Sequence, residues 1–144
     1  MIERFGGERD FKFIVIAFVG RLKADRKLNK FFANFRDNDL ATHQEDFLMT
    51  VFDDSRNAES VQNYIYLRYH RLFQQGFDER HYDLLVRHFV ESLQDAWVDD
   101  DQVIGDTVKL MNSFRPSFER KQRQEMCPHS SSRVSIVESL VGAC

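Results

Sequence analysis

Proline and glycine, the residues that most often interrupt regular structure, are scarce in this chain. Its 144 residues include 2 Pro and 6 Gly, so long stretches can form uninterrupted helices. The 2 cysteines, Cys127 and Cys144, lie near the C-terminus without the CxxC spacing of a zinc or redox motif. We therefore expect free thiols, with an intermolecular disulfide as the alternative.

The chain also lacks a strong charge of one sign and a long apolar run. Its formal net charge is −3 with the signs interspersed, which gives no electrostatic footprint for nucleic acid or a membrane surface. The longest apolar run, Phe13 to Val19, is too short to span a bilayer. Residues 1–5 lack the basic-then-apolar order of a signal peptide. We expect a cytoplasmic protein, with organelle targeting left open, and the polar C-terminus favours a monomer.

Phenylalanine is the residue that the chain has in excess. It contains 14 Phe, against 4 Tyr and 1 Trp, and apolar residues recur at the three- and four-residue spacing of helices. The pattern predicts an all-α domain over residues 1–119 and a polar, flexible tail over residues 120–144, with a weak helix near residues 134–141. Composition leaves open whether the Phe side chains form a bulky core or line a flat aromatic ligand.

Turn and cap residues divide the domain into helical segments. Aspartate favours helix N-termini, and we predict helices that begin near Asp10, Asp37, Asp78 and Asp99. A shorter helix is predicted to begin at Ser60 or Asn63 and to stop at Gly76. The first helix is apolar around most of its circumference, so we expect it to be deeply buried. Trp97, near the end of the helix from Asp78, is expected to pack in the core.

Two histidines lie on the apolar faces of neighbouring helical segments. His43 and Gln44 follow Leu40 at i+3 and i+4, so their side chains point where the side chain of Leu40 points. His70 shares a face with Tyr66, Tyr69 and Phe73. On chemistry alone, such a histidine is more often a hydrogen-bonded core residue than a ligand. Two imidazoles that face one apolar space can, however, hold an iron-containing ring between them.

The order of these pieces resembles a known family. The sequence reads Phe-Gly-Gly at residues 5–7, Leu-Ala-Thr-His-Gln-Glu-Asp-Phe-Leu at 40–48, Tyr-His at 69–70 and His-Tyr-Asp at 81–83. Weaker pieces lie at residues 18–25 and 28–33. Together they resemble the truncated hemoglobins of the first group, especially the cyanobacterial members, over about residues 2–118. The resemblance implies a globin-like, two-over-two helical sandwich.

The resemblance also implies a heme b cofactor and roles for individual residues. His70 falls on the family's proximal iron ligand, and Phe32 falls on the ring that packs against the heme. The other residues expected around the heme lie on the distal helix or in the apolar wall: Phe18, Leu40, His43, Gln44, Phe47 and Leu85. The second ring nitrogen of His70 is expected to bond a carbonyl of the preceding turn.

The roles of the two distal polar residues stay open. His43 is a sixth iron ligand in the resting protein, a hydrogen-bond donor to bound oxygen, or a side chain swung to solvent or toward a heme carboxylate. Gln44 donates through its amide to a bound ligand, or it bonds a tyrosine or the backbone. His81 and His88 are expected to be structural.

The sequence departs from the family pattern at three places. Val19 stands where the family usually has a tyrosine that donates a hydrogen bond to bound oxygen, which puts that mechanism in doubt. Asp53 and Asp54 replace the second Gly-Gly after the distal helix. Residues 112–118 contain no histidine, so we do not expect the covalent heme attachment of some cyanobacterial members.

The function implied by the resemblance is the binding of diatomic gases (oxygen, carbon monoxide or nitric oxide) at heme iron. A site that His43 can block suits redox or nitric oxide chemistry more than bulk oxygen storage or transport. Conversion of nitric oxide to nitrate requires an electron donor that the sequence does not identify, so enzymatic activity stays undecided. The rival interpretation is a sensory or interaction domain, or a heme-free helical bundle in which both histidines are structural.

Overall fold

The computed structural model describes residues 1–120, in which helices are joined by short turns and loops. The helices, in chain order, are α1 (Glu8–Ala24), α2 (Asn29–Phe32), α3 (Asp37–Val51), α4 (Ala58–Arg68), α5 (His70–Gln74), α6 (Glu79–Asp95) and α7 (Asp101–Ser113). A 3₁₀ turn, Ile2–Phe5, precedes them, and another, Arg115–Phe118, follows. The prediction of an all-α fold is confirmed, since this part of the chain contains no strand. No helix in it is long and apolar enough to cross a membrane.

The predictions for the C-terminal segment cannot be compared with these helices. The tail, its weak helix and both cysteines, Cys127 and Cys144, lie outside the described residues. The boundary at residue 119 therefore stays a prediction.

The main helices pair in two layers that cross. α1 packs against α3 in one pair, α6 packs against α7 in the other, and α1 also contacts α6. Phe89 on α6 joins the layers, with its ring 5.4 Å from that of Phe18 on α1 and 5.9 Å from that of Phe5. A second aromatic cluster surrounds Phe118, whose ring stacks on Tyr82 at 4.0 Å. Such contacts add directional preference to the burial of apolar area.

Side chains at the N-termini explain where several helices begin. α4 begins at Ala58 because the side chain of Asn57 accepts a hydrogen bond from the backbone N–H of Ser60 at 2.7 Å. The prediction of a start at Ser60 or Asn63 is therefore wrong, because α4 begins two residues before Ser60. The predicted stop at Gly76 is confirmed, because this residue has φ 98°, a conformation that favours glycine.

The start of α6 is fixed by a reciprocal cap. The Asp78 carboxylate accepts from the backbone N–H of Arg80 at 3.0 Å, and Nδ1 of His81 accepts from the backbone N–H of Asp78 at 3.1 Å. The Arg80 guanidinium also bonds both carboxylate oxygens of Asp78, at 3.2 and 2.8 Å. Its hydrogen bonds, together with its charge, lower the pKa of this buried carboxyl group to about 2.

Two expectations about burial are wrong. α1 is not buried all round, since Phe13 and Ile16 are 61% and 62% exposed. A two-layer fold covers only the sides of α1 that meet α3 and α6. Trp97 is 87% exposed, because α6 ends at Asp95 and the chain reverses through a left-handed Trp97 (φ 66°). Apolar periodicity does not reveal which face of a helix lacks a neighbour.

We predict that Asp78→Ala lowers the free energy of unfolding at pH 7 by about 2 kcal/mol, since it removes a cap and a carboxylate held below its ordinary pKa of 3.8. The folded-state pKa is lowered, so this stability is present above the ordinary carboxyl pKa and is lost as the pH falls toward about 2. Urea unfolding at neutral pH and near pH 2.5 measures the difference. Asp99→Ala removes an exposed carboxylate and serves as the control. Equal effects of the two substitutions, or a difference that does not shrink in acid, would contradict the prediction.

Candidate functional site

A cavity of about 460 Å³, called the central cavity below, lies between the α2 corner, α3 and the junction of α4 with α5. The side chains that matter for its chemistry are aromatic, aliphatic or imidazole groups: Phe31, Phe35, His43, Leu67, His70 and Leu72. Both histidines singled out by the sequence therefore face one cavity, from different helices. Arg68 and Arg71 also line it and add positive charge.

His70 is presented to the cavity by a break in the helix. α4 ends at Arg68 and α5 begins at His70, with Tyr69 between them. The Tyr69 side chain is fully buried and packs against Phe47 at 5.2 Å and Phe118 at 5.1 Å between ring centroids. Because Tyr69 anchors the junction in the core, the next residue is held at the cavity, half-buried.

The expected hydrogen bond from His70 to the preceding turn is not formed. Within residues 1–120 the His70 imidazole bonds no carbonyl; instead, Nε2–H of His43 donates to the Arg68 carbonyl at 3.2 Å. His43 therefore reaches from α3 to the turn that immediately precedes His70. Since His43 is only 9% exposed, the alternative in which its side chain swings to solvent is wrong for this structure.

A chain of hydrogen bonds holds His43 in this position. The Tyr69 hydroxyl donates to Oε1 of Gln44 at 3.4 Å, and Nε2–H of Gln44 donates to Nδ1 of His43 at 3.3 Å. Nδ1 of His43 is then an acceptor, so the hydrogen of the neutral ring is on Nε2 and points to Arg68. Of the two alternatives for Gln44, the structure shows the bond to a tyrosine.

Burial keeps the His43 imidazole and the Tyr69 hydroxyl of this hydrogen-bond chain uncharged. Burial lowers the pKa of His43 below its ordinary value, although the bond to the Arg68 carbonyl partly opposes that change. Burial likewise raises the pKa of the Tyr69 hydroxyl well above its ordinary value. Near neutral pH the cavity thus presents a neutral imidazole, the form in which histidine coordinates metals.

The other residues predicted at the site lie in the packed core and do not line the cavity. These residues, all fully buried, are Phe18, Phe32, Leu40, Phe47 and Leu85. Phe47 contacts Tyr69, and Phe32 contacts Phe35, whose ring lies 5.5 Å from His43. Phe18 instead belongs to the aromatic cluster around Phe89. The structure therefore places His43 and His70 at the cavity, with Gln44 bonded to His43. The five apolar residues predicted at the site lie in the core instead.

The sequence patterns did not identify Tyr69, Arg68 or Phe35 as site residues. Tyr69 carried a signal, because it shares a helical face with His70. The Arg68 carbonyl carried none, since any residue supplies one. Val19 is buried in α1 and has no hydroxyl to donate. The hydroxyl that helps to position His43, through Gln44, is that of Tyr69.

A metal ion would need more than protein ligands here. Among the described residues, no group of three or more His, Cys, Asp or Glu side chains could hold one. Two imidazoles can supply the axial ligands of a metal whose remaining ligands come from a cofactor.

No family model matches this chain, and no curated protein sequence matches it significantly. Two solved structures resemble it closely in fold. THB4 of Chlamydomonas reinhardtii is 23% identical, with a TM-score of 0.71 over 84% of this chain and 95% of that one. A globin of Synechococcus sp. PCC 7002, in a structure at cryogenic temperature with heme modification, is 24% identical, with a TM-score of 0.65 over 82% of this chain and 96% of that one.

These neighbours define the fold class. The Synechococcus neighbour is described as a globin, and both matches cover more than four fifths of this chain. The chain therefore has the globin-like, two-over-two helical fold, and the likeness to cyanobacterial truncated hemoglobins drawn from the sequence is confirmed at the level of fold.

We predict an energetic coupling of about 1 kcal/mol between Tyr69→Phe and Gln44→Leu, because each substitution removes one partner of a buried hydrogen bond. Urea unfolding of the single and double variants measures it. Tyr82→Phe is the matched control, since the Tyr82 hydroxyl is equally buried but donates to the Met111 carbonyl at 2.7 Å. Tyr82→Phe should combine additively with Gln44→Leu. Additive effects for Tyr69→Phe as well would show that the Tyr69–Gln44 bond contributes nothing.

Proposed function

We propose that the protein binds heme at the central cavity, with His70 as the proximal iron ligand, and binds diatomic gases there. One observation carries the proposal: His43 and His70 line the same cavity from two helices of a fold shared with globins. The Synechococcus neighbour, described with heme modification, supports this cofactor class.

The chemistry of the cavity suits this cofactor. The aromatic and aliphatic wall, which includes Phe31, Phe35 and Leu67, suits a flat apolar ring. Arg68 and Arg71 at the cavity are the groups that would pair with the carboxylates of heme. The sequence has no CxxC pair and no histidine in residues 112–118, so we propose heme b held without a covalent link.

When bound, heme supplies an iron coordination position that accepts a diatomic gas. The residues of this chain hold and shield that position. His70 offers an imidazole nitrogen that no carbonyl in the described residues engages. Phe31 and Leu72, both buried, provide the apolar part of the wall against which a flat ring would pack. With Val19 in place of a hydroxyl donor, His43 and Gln44 are the distal polar groups.

His43 is proposed as a reversible sixth ligand. Coordination through Nε2 requires the hydrogen bond to the Arg68 carbonyl to break and the ring hydrogen to reside on Nδ1. The Gln44 amide must then turn its oxygen toward Nδ1, and the Tyr69 hydroxyl must accept instead of donate. An external gas competes with His43, so its apparent affinity falls with the fraction of sites that are open.

Nitric oxide detoxification is the activity that we propose for such a site. Nitric oxide, dioxygen and one electron give nitrate, so an electron donor is required in each cycle. We propose a monomeric, cytoplasmic protein served by a separate reductant. The competing proposal is a sensory or heme-free interaction domain, in which the His43–Arg68 bond is purely structural.

Visible absorption of the heme-supplied protein tests the ligand assignment. His70→Ala should weaken heme binding by more than about tenfold, because it removes the proximal ligand. His129→Ala, outside the described residues, is the control and should bind heme as the parent does. A spectrum indistinguishable from that of free heme in the unsubstituted protein would overturn the proposal.

The sixth ligand has its own signature in the same measurement. The reduced parent protein should show two split visible bands, and His43→Ala should show a single broad band. Tyr69→Phe should increase the split-band fraction, because the hydroxyl no longer holds the Gln44 oxygen away from Nδ1. A split spectrum that survives in His43→Ala would exclude His43 as the ligand.

Stopped-flow mixing of the reduced protein in oxygenated buffer with nitric oxide tests the proposed conversion of nitric oxide to nitrate. A rate no faster than His43 release would exclude efficient detoxification.

A further inference from the structure

A second cleft, of about 470 Å³, is lined by basic side chains. It lies where the corner between α1 and α2 faces the first turns of α6, and its lining is Arg26, Lys27, Lys30, Arg80, His81 and Leu84. No lining residue is acidic, although the whole chain has a formal net charge of −3. Phe31 lines the central cavity and packs against His81, so it separates the two spaces.

Two carboxylates near this cleft, Asp25 and Asp78, have other partners. Asp25 accepts from His88 at 2.7 Å and from the backbone N–H of Lys27 at 2.7 Å. Asp78 pairs with Arg80. The charge of Glu79 also acts on this guanidinium, although Oε2 of Glu79 has no hydrogen-bond partner in the described residues. Within residues 1–120, no ion pair engages the side chains of Arg26, Lys27 or Lys30. Cationic charge therefore remains concentrated around one concave surface.

His81 contributes a donor of fixed orientation. Its ring is held between Phe31 at 4.7 Å and Phe77 at 5.3 Å between centroids. Nδ1 accepts the backbone N–H of Asp78 in the cap of α6, so the hydrogen of the neutral ring is on Nε2. Nothing in the described part of the chain accepts that hydrogen, and the ring lines the cleft.

We propose that this cleft binds a compact oxyanion with two or more negative charges, namely inorganic phosphate or a small phosphate monoester. Nε2–H of His81 donates to an oxygen of the anion, and Lys30 and the free guanidinium nitrogen of Arg80 supply further donors. Arg26 and Lys27 add charge around the opening. Leu84 gives a monoester an apolar contact that inorganic phosphate cannot use.

Protonation of His81 provides a direct readout of binding. The groups that face the ring are Asp78 at the N-cap of α6, Arg80 on α6 and Lys30 on α2. In the protonated ring, Nδ1–H can turn to the Asp78 carboxylate oxygen 3.2 Å away. A bound dianion beside Nε2 therefore increases the proton affinity of His81, and binding must strengthen as His81 gains its proton.

Histidine side-chain NMR of the full chain, at constant ionic strength, tests the proposal. Phosphate and methyl phosphate should shift the His81 signals saturably and raise its proton affinity about threefold, whereas acetate should not. Tighter binding of methyl phosphate identifies a monoester site, and equal binding identifies a phosphate site. Equal, non-saturating shifts with every anion would overturn the proposal.

Matched variants locate the binding. Lys30→Gln should weaken phosphate binding about threefold, and the exposed Lys12→Gln, on α1, should leave it unchanged. His81→Gln keeps an acceptor for the cap of α6 and should lose most of the affinity with little loss of stability. Unchanged affinity in both Lys30→Gln and His81→Gln would overturn the proposal. None of these measurements needs heme, so their outcome is independent of the function proposed above.

Discussion

The hydrogen bond from His43 to the Arg68 carbonyl joins the two sides of the central cavity. It runs from the middle of α3 to the last residue of α4, immediately before the turn that presents His70. Because the side chains of His43, Gln44 and Tyr69 are buried, this bond and the Gln44–Tyr69 pair behind it are costly to leave unsatisfied. The position of one histidine is therefore tied to the backbone that carries the other.

Aromatic packing fixes the position of Tyr69, whose hydroxyl bonds Gln44 behind His43. Tyr69 sits in a cluster with Phe47, Phe77 and Phe118, so its hydroxyl has little freedom to move away from Gln44. The same cluster receives the terminal 3₁₀ turn through the stacking of Phe118 on Tyr82. The last described segment of the chain thus supports the turn before His70, although it is distant in sequence. A substitution at Phe118 should therefore alter the position of Tyr69 and, through it, the side chains at the cavity.

The helical fold, its order and the two cavity histidines could be predicted from the sequence, because each depends on local spacing and on the succession of short motifs. His43 and Gln44 follow Leu40 on one helical face whatever the tertiary structure. The exposure of Trp97 could not be predicted, since it depends on a left-handed residue that ends α6. The hydrogen-bond partner of His43 could not be predicted either, because a backbone carbonyl has no sequence signature. Local periodicity identifies which residues share a helical face, whereas contacts between helices decide whether that face is buried and what it meets.

The resemblance implies a tyrosine at position 19, where this chain has Val19, so the hydroxyl group that acts on His43 comes from another part of the fold. A hydroxyl at position 19 would act from α1, independently of the turn before His70. Tyr69 instead belongs to that turn, and its hydroxyl reaches His43 through Gln44. Reversal of the donor direction along Tyr69, Gln44 and His43 exposes the Nε2 lone pair and at the same time breaks the bond to Arg68. If His43 acts as the ligand proposed above, it would release the Arg68 carbonyl beside His70, so the hydrogen bonding on the two sides of the cavity would change together.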